Sequence, residues 1–425
     1  MNVIFILMVL CAFCFSGWQQ IFSVSVQGSP SPMEVLSAAM IKSAGGSVEL
    51  AISLIGVMAL FLGMMKVAEA GGMLTILARL IRPLMKRLFP DVPPDHPAMG
   101  AMILNLSANM LGLGNAATPF GIRAMQELNR LNRHPGTASD AMVLFLAINT
   151  SSVTLLPTGV IALRASAGSL DPAAILPTTL FATACSTIIA IVAALFFRRF
   201  FPLGKPGMEA ADTVALDQAP MEEQGAYPLW VSFLALGLLL ALIPVTVFYG
   251  KVIAPWILPG LMVGFLAFGM WRRVPIYESF VDGAKEGFQV ALRIIPYLVA
   301  ILVAVGMFRA SGALDILVQA LGKWTTPLGM PPEALPMALL RPLSGSGAYG
   351  VMASIINDPA IGPDSYTGYL VSTLQGSTET TFYVLAVYFG AVQIKRIRHA
   401  LWTALSADLV AVIAAVAAVS FLFSL

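Results

Sequence analysis

Long apolar runs constrain this chain most strongly. A helix that crosses the ~30 Å hydrocarbon core of a membrane needs roughly 20 mostly apolar residues. Runs of that kind occur at 3–22, 48–68, 173–197, 228–249, 252–271, 288–308 and 400–424. Tryptophan or tyrosine lies near the ends of several runs, as is typical of the membrane–water interface. The runs predict an all-α polytopic membrane protein.

The composition of the chain agrees with that prediction. Of 425 residues, 58% are hydrophobic and 11% are charged, whereas soluble domains average about 25% charged residues. The net charge of +2 gives no reason to expect a nucleic-acid partner. Cysteine and histidine show no metal-ligand spacing, and no nucleophile–base pair is visible, so we expect no cofactor and no enzyme activity.

Five further segments are apolar but atypical of a simple span. Residues 73–89, "MLTILARLIRPLMKRLF", are amphipathic and basic, and we expect them to lie along the membrane interface. Segments 97–121 and 333–356 are predicted to be re-entrant hairpins. Segments 138–165 and 366–392 are interrupted by polar residues and are predicted to be broken transmembrane helices.

The chain contains an internal repeat. "AGGMLTILARLI" at 70–81 matches "ASGALDILVQAL" at 310–321 in five of twelve positions, and "PPDHPAM" at 93–99 is followed by a similar "PPEALPM" at 331–337. Each half therefore reads as helix, interfacial helix, hairpin, broken helix and helix. We divide the chain into a first repeat with an N-terminal helix (1–199), a cytoplasmic linker (200–227), two connecting helices (228–287) and a second repeat (288–425).

Basic residues distinguish the two halves. The first interfacial helix carries four of them, whereas its counterpart carries only Lys323. The loop after the first hairpin is basic, but the matching "NDPAIGPDS" has no basic residue. Cytoplasmic loops carry the excess of lysine and arginine, so we predict that the two repeats are inverted. The scheme gives nine full crossings and two hairpins.

Inverted repeats with broken helices are the usual build of secondary transporters, whose solute and coupling-ion sites lie where the breaks meet. The four breaks here carry the polar side chains of the predicted binding site. These are Asn105, Asn109, Asn115, Thr118, Asn149, Thr150, Ser151, Ser152, Ser344, Ser346, Gln375, Ser377, Thr378, Glu379 and Thr380. Glu379 is the predicted centre, because an ionised carboxylate inside a membrane is costly unless it has a function. Arg341 either pairs with Glu379 or reaches the outer interface.

Two pairs of motifs carry a family resemblance. "GLGNAATPFGIRAMQELN" with "INTSSVTLLPT" resembles spore maturation protein A, and "RPLSGSGAYGVM" with "QGSTETTFYVLAVYFG" resembles spore maturation protein B. Both belong to the nucleoside-recognition, or Gate, family, which is similar to the concentrative nucleoside transporters. In those transporters a "GQTE"-type motif contributes to substrate binding; "QGSTET" is similar in content but not in order. The resemblance implies a nucleoside-like solute.

Our sequence-based hypothesis is a permease for a small polar solute, in the plasma (inner) membrane of a bacterium. It allows a coupling ion, sodium or a proton, and leaves a homo-oligomer open. One alternative is a non-transporting envelope or spore-maturation factor that acts through partners. Another is a metal-ion gate like that of ferrous-iron transporter B, although no nucleotide-binding G-x-x-x-x-G-K-[ST] motif occurs.

Overall fold

The computed structural model describes residues 2–22, 30–112, 114–151, 154–203 and 227–424. In this part of the chain the backbone forms α-helices and two single 3-10 turns, and no β-strand. The predicted all-α class is therefore confirmed. Of the predicted linker, residues 204–226 lie outside the described ranges.

The first half contains eight helices in its described residues. They are α1 (Asn2–Phe22), α2 (Pro32–Ala70), α3 (Met73–Leu88), α4 (Pro97–Met110), α5 (Gly114–Arg130), α6 (Asp140–Ser151), α7 (Thr158–Ser166) and α8 (Leu176–Phe197). Helices α4 and α5 form the first hairpin, and α6 and α7 are the two parts of the first broken helix.

The second half repeats the order from α2 to α8, after one connecting helix. Its helices are α9 (Leu229–Trp271), α10 (Ile276–Ala310), α11 (Ala313–Thr325), α12 (Leu335–Leu340), α13 (Gly345–Ile356), α14 (Tyr366–Ser377), α15 (Thr381–Ala391) and α16 (Ala400–Ser424). Helices α12 and α13 form the second hairpin, and α14 and α15 the second broken helix. The order of elements supports the internal repeat.

A left-handed glycine turns the chain into each predicted interfacial helix. Gly72 precedes α3 with φ 84°, and Gly312 precedes α11 with φ 78°. Glycine adopts this region at little cost because it has no Cβ. Helices α2 and α3 meet at a bend of 69°. The two repeat motifs thus share a left-handed glycine at the residue before the predicted interfacial helix.

One predicted pair of helices is wrong, and other elements differ in length from the segments that predicted them. The runs 228–249 and 252–271 form one continuous helix, α9, instead of two. Only Gly250 and Lys251 separate the runs, and two residues is about the shortest loop that joins antiparallel helices. The runs 48–68 and 288–308 are parts of the longer α2 and α10. The first arm of the second hairpin, α12, is only six residues long, and Arg341 and Pro342 follow it.

The two halves interlock in the core. Ile161 of α7 belongs to the same buried cluster as Met352 of α13 and Leu370 of α14. Conversely, Tyr388 of α15 packs in a cluster with Met102 of α4 and residues of α5 and α6. Each hairpin therefore packs against part of the broken helix of the opposite half.

Three helices in the described residues are long and apolar enough to cross a membrane: α1, α8 and α16; the bent pair of α2 and α3 makes a fourth candidate. They expose large apolar side chains, such as Leu10, Ile188 and Leu409, each more than half exposed. Such faces are suited to contact with lipid. The predicted total of nine crossings counted α9 as two helices and is wrong for one continuous helix. The inversion of the halves stays a prediction.

Candidate functional site

The four breaks of the two halves meet at one cavity of about 220 Å³. The first hairpin contributes its tip, and the first broken helix contributes the segment between α6 and α7. The second hairpin and the second broken helix contribute the matching segments. The lining residues are Asn109, Gly112, Thr154, Leu156, Pro157, Thr158, Gly159, Val160, Arg341, Gly345, Tyr349, Gln375, Gly376, Thr378 and Glu379. We call this the central cavity.

Backbone hydrogen bonds hold the breaks together. The Glu379 N–H donates to the Thr150 carbonyl at 2.8 Å, which joins the broken helix of one half to that of the other. The Leu155 N–H donates to Met110 at 2.9 Å, tying the first break to the first hairpin. A third bond, from Phe382 to Pro342, does the same in the second half. Backbone groups freed by the breaks are thus partly used to join the four segments.

Two glycines at the hairpin tips allow this close approach. Gly112 has φ +75°, and a Cβ there would lie 2.7 Å from the Leu156 carbonyl oxygen. A Cβ at Gly345 would lie 2.6 Å from the Thr380 hydroxyl. Real Cβ atoms do not approach a neighbour so closely, so larger residues at either tip would push the hairpin away from its broken helix.

A buried guanidinium lies beside the cavity. Arg341 is 6% exposed, and its terminal nitrogens donate to the Thr378 carbonyl and, at 3.1 Å, to the Thr380 hydroxyl. Its Nε has no partner. Glu379 is exposed at the cavity surface, and no ion pair within 4.0 Å joins it to Arg341. The arginine therefore binds the second break, and the Glu379 side chain lines the cavity without an ion pair to it.

An amide completes the polar lining. Gln375 donates from Nε2 to the Gly345 carbonyl at 3.4 Å, and its buried Oε1 has no partner. Buried polar groups in proteins are normally hydrogen-bonded. The Gln375 oxygen and the Arg341 Nε are thus two buried polar atoms without a hydrogen-bond partner in residues that line the cavity.

Four of the predicted site residues line the central cavity: Asn109, Gln375, Thr378 and Glu379. Two of the others, Asn105 and Asn149, are buried and do not line it. Asn105 bonds to the Ala117 carbonyl and to the Tyr388 hydroxyl, and Asn149 accepts from Asn109 at 2.9 Å. These asparagines orient the first hairpin against α6 and α15.

The remaining predicted residues have local roles or lie outside the described residues. The hydroxyls of Thr150, Ser151 and Ser377 donate to carbonyls in their own helices, and Ser344 caps α13. Thr380 accepts from Arg341. Thr118 and Ser346 lie within α5 and α13 and do not line the cavity. Ser152 and the Asn115 side chain lie outside the described residues.

Sequence reasoning missed an ion pair between the halves, which joins a buried arginine to a partly exposed aspartate. Arg164 is fully buried and donates to Asp364 at 2.9 Å and to the Pro363 carbonyl at 2.6 Å. Its guanidinium also lies over the Tyr369 ring, 4.4 Å from the centroid. Arg164 donates three more hydrogen bonds, to the hydroxyls of Ser169 and Ser372 and to the Asp171 carbonyl. This cluster fastens α7 to the segment that leads into α14.

A larger cavity of about 620 Å³ lies between α2, α10 and α13. It is an open cleft, and no predicted site residue lines it. In the described residues no group of three or more His, Cys, Asp or Glu side chains could hold a metal ion. We therefore take the central cavity, where the four breaks meet, as the candidate site.

Known proteins resemble the chain over most of this framework. The family described as nucleoside recognition (Gate) matches residues 51–167 and 291–395, slightly more than half of the chain. Spore maturation protein B of Bacillus subtilis (strain 168) is 49% identical over 166 residues, 39% of this chain and 92% of that protein. Spore maturation protein A of the same organism is 45% identical over 165 residues, 39% of this chain and 84% of that protein. Among solved structures, the Alcanivorax borkumensis YdaH transporter aligns over 99% of this chain and 98% of its own, with 14% identity and a TM-score of 0.38.

Proposed function

Because the chain belongs to the nucleoside-recognition (Gate) family, we propose that it is a secondary transporter of a small polar solute in a bacterial plasma membrane. One observation carries the proposal: the breaks of both halves, two from each, meet at a single polar cavity. In transporters built from repeats, solute sites lie at such broken helices near the repeat interface. Unpaired backbone also cannot face lipid and must line protein or water.

The cavity chemistry favours a neutral solute with several hydroxyl or amide groups, as a nucleoside has. The exposed Glu379 carboxylate can accept hydrogen bonds from such a solute. The amide side chains of Asn109 and Gln375 also line the cavity. With about 220 Å³ of space, the cavity is below the ~300–1,000 Å³ that is usual for drug-sized ligands, so the solute is small.

A second candidate is a spore-maturation factor that acts through partner proteins. The names of the two Bacillus relatives favour it. The two functions differ in one requirement, because a factor of this kind does not need a solute in the central cavity. The metal-ion gate gains no support from the described residues.

Thermal stability of the purified full-length protein tests the proposal. Melting is followed with nucleosides, nucleobases and dicarboxylates added separately. A solute at 100 times its Kd stabilises a folded state by about 2.7 kcal/mol, so the melting temperature should rise with one class only. No shift with any solute would favour the second candidate.

Glu379→Gln tests the predicted centre of the site. Because the Glu379 contact to Thr150 is made by the backbone, this substitution should leave the melt of the solute-free protein nearly unchanged. The shift by the stabilising solute, and its uptake into vesicles, should be lost. Glu278→Gln, on the exposed start of α10, is the matched control and should behave as the wild type. Normal uptake by Glu379→Gln would contradict the assignment.

A further inference from the structure

A carboxylate lies inside the apolar helix α16. Asp408 is the ninth residue of the helix, about 12 Å from its first residue at a rise of ~1.5 Å per residue. It is 6% exposed, and α16 is one of the candidate membrane spans. Ionisable side chains in such positions are costly, and they commonly mark ion or proton pathways. Asp408 takes no part in the central cavity.

The two oxygens of Asp408 have different surroundings. Oδ2 accepts a hydrogen bond of 2.6 Å from the Thr381 hydroxyl, at the first residue of α15. Oδ1 is buried and has no partner. A small cavity of about 10 Å³ lies next to it, lined also by Arg341, Ser377 and Thr378. Asp408 is thus bonded to one side of the second break and shares a cavity with the arginine that binds the other.

Arg341 is the charged side chain that faces Asp408, and Glu379 faces the same guanidinium from the central cavity. The other helices packed against α16 are α6, α8, α14 and α15. Their titratable side chains are Asp140, Cys185, Tyr366, Tyr369, Tyr383 and Tyr388, and His399 precedes α16 itself. Asp140 is paired with Arg398. Arg341 therefore lies between two carboxylates, one in each cavity.

The geometry favours a proton over a metal ion as the ligand of Asp408. A cation in the small cavity would lie beside the Arg341 guanidinium, and like charges at short distance repel strongly in a poorly solvated site. The cavity volume, about 10 Å³, holds one water at most. Protonation needs no additional space and removes the negative charge that Arg341 faces.

We propose that Asp408 is a proton-binding site that controls the break between α14 and α15. When ionised, it accepts from Thr381 and attracts Arg341, which in turn holds the Thr378 carbonyl and the Thr380 hydroxyl. Uptake of one proton from water neutralises the carboxylate and leaves Glu379 as the only carboxylate that faces Arg341. The guanidinium then moves towards the central cavity, and the break loosens. The role in coupling rests on the proposed transport function, whereas the proton site does not.

Hydrogen–deuterium exchange tests the site without any solute. The purified full-length protein in lipid nanodiscs is measured across a pH series, and amide protection is corrected for the intrinsic pH dependence of exchange. Peptides covering 374–385 should lose about tenfold in protection as the pH falls, the size expected for one lost hydrogen bond to a charged group. Infrared difference spectra of the same samples should gain the C=O band of a protonated carboxyl over the same pH range.

Three variants decide the outcome. Asp408→Asn should show low protection at every pH and lack the carboxyl band. Thr381→Val removes the donor to the ionised carboxylate and should move the transition to higher pH. Asp282→Asn, an exposed carboxylate on α10, should change neither signal.

Protection that does not vary with pH in the wild type would overturn the proposal, as would an unchanged carboxyl band in Asp408→Asn. The wild-type and Thr381→Val measurements keep the test decisive if Asp408→Asn does not fold. A normal pH response together with no solute binding would refute the transport function and leave the proton site standing.

Discussion

Gly112→Ala tests whether the first hairpin tip must contact the first break. Two costs add at this position. A residue with a Cβ in the left-handed region costs about 1–2 kcal/mol, and Gly112 has φ +75°. The new methyl group would also lie 2.7 Å from the Leu156 carbonyl oxygen, and overpacking of this kind costs typically 1–3 kcal/mol. We expect a total loss of about 2–5 kcal/mol in the free energy of unfolding.

Gly136→Ala is the matched control, because it carries the first cost without the second. Gly136 has φ +71°, and a Cβ there would meet no atom within 4 Å. We therefore expect it to lose only the conformational term, about 1–2 kcal/mol. The difference between the two variants isolates the contact between the hairpin tip and the Leu156 carbonyl.

Thermal melts of both variants in the same detergent, followed by solute-binding measurements, provide the assay. Gly112→Ala should melt several degrees below Gly136→Ala and should bind the stabilising solute of the wild type more weakly, because the displaced carbonyl belongs to the cavity wall. Equal melting temperatures would refute the reasoning, since the tip would then have room to move away from the break at no cost.

Two further predictions concern the relation between the halves. Arg164→Met should lower the stability by about 1–3 kcal/mol, because it removes hydrogen bonds from a charged donor while the partly exposed Asp364 stays solvated. In a melting series the double variant with Asp364→Asn should lose less than the sum of the single losses. Additive losses would show that the two side chains are not coupled. Arg133 and Ala360 lie at exposed loop positions, and each is replaced by cysteine in a variant without the native cysteines. The two new cysteines should react with a membrane-impermeant reagent from opposite sides of the membrane. Labelling from the same side would contradict the inverted repeat.

The elements that the sequence predicted best are those with strong local signals. Helices α1, α8 and α16 lie within three residues of the apolar runs that predicted them. The four breaks were visible because glycine, proline and hydroxyl residues interrupt otherwise apolar segments. The repeated motif around Gly72 and Gly312 likewise marked the same point in both halves, where the structure has left-handed glycines. Such signals need only neighbouring residues, and a single sequence supplies them.

What the sequence did not predict depends on contacts between distant residues. The packing of neighbouring helices decides which side of α6 faces the cavity, and the sequence of α6 alone does not show it. Asn149 and Thr150 were therefore expected in the cavity, but they do not line it. Asp364 forms its bond to Arg164 across 200 positions. Asp408 stands in a run that resembles a plain membrane span, and its importance becomes visible only when Thr381 and Arg341 lie beside it.

The hydrogen bond from the Glu379 N–H to the Thr150 carbonyl has a consequence for how the sequence can change. Both atoms belong to the main chain, so nearly every side-chain replacement at either position leaves the donor and the acceptor in place. Proline at 379 is the exception, because it has no N–H. The link between the two broken helices therefore does not depend on the side chain at 379, which is exposed, whereas the fully buried Thr150 leaves little room for a larger side chain.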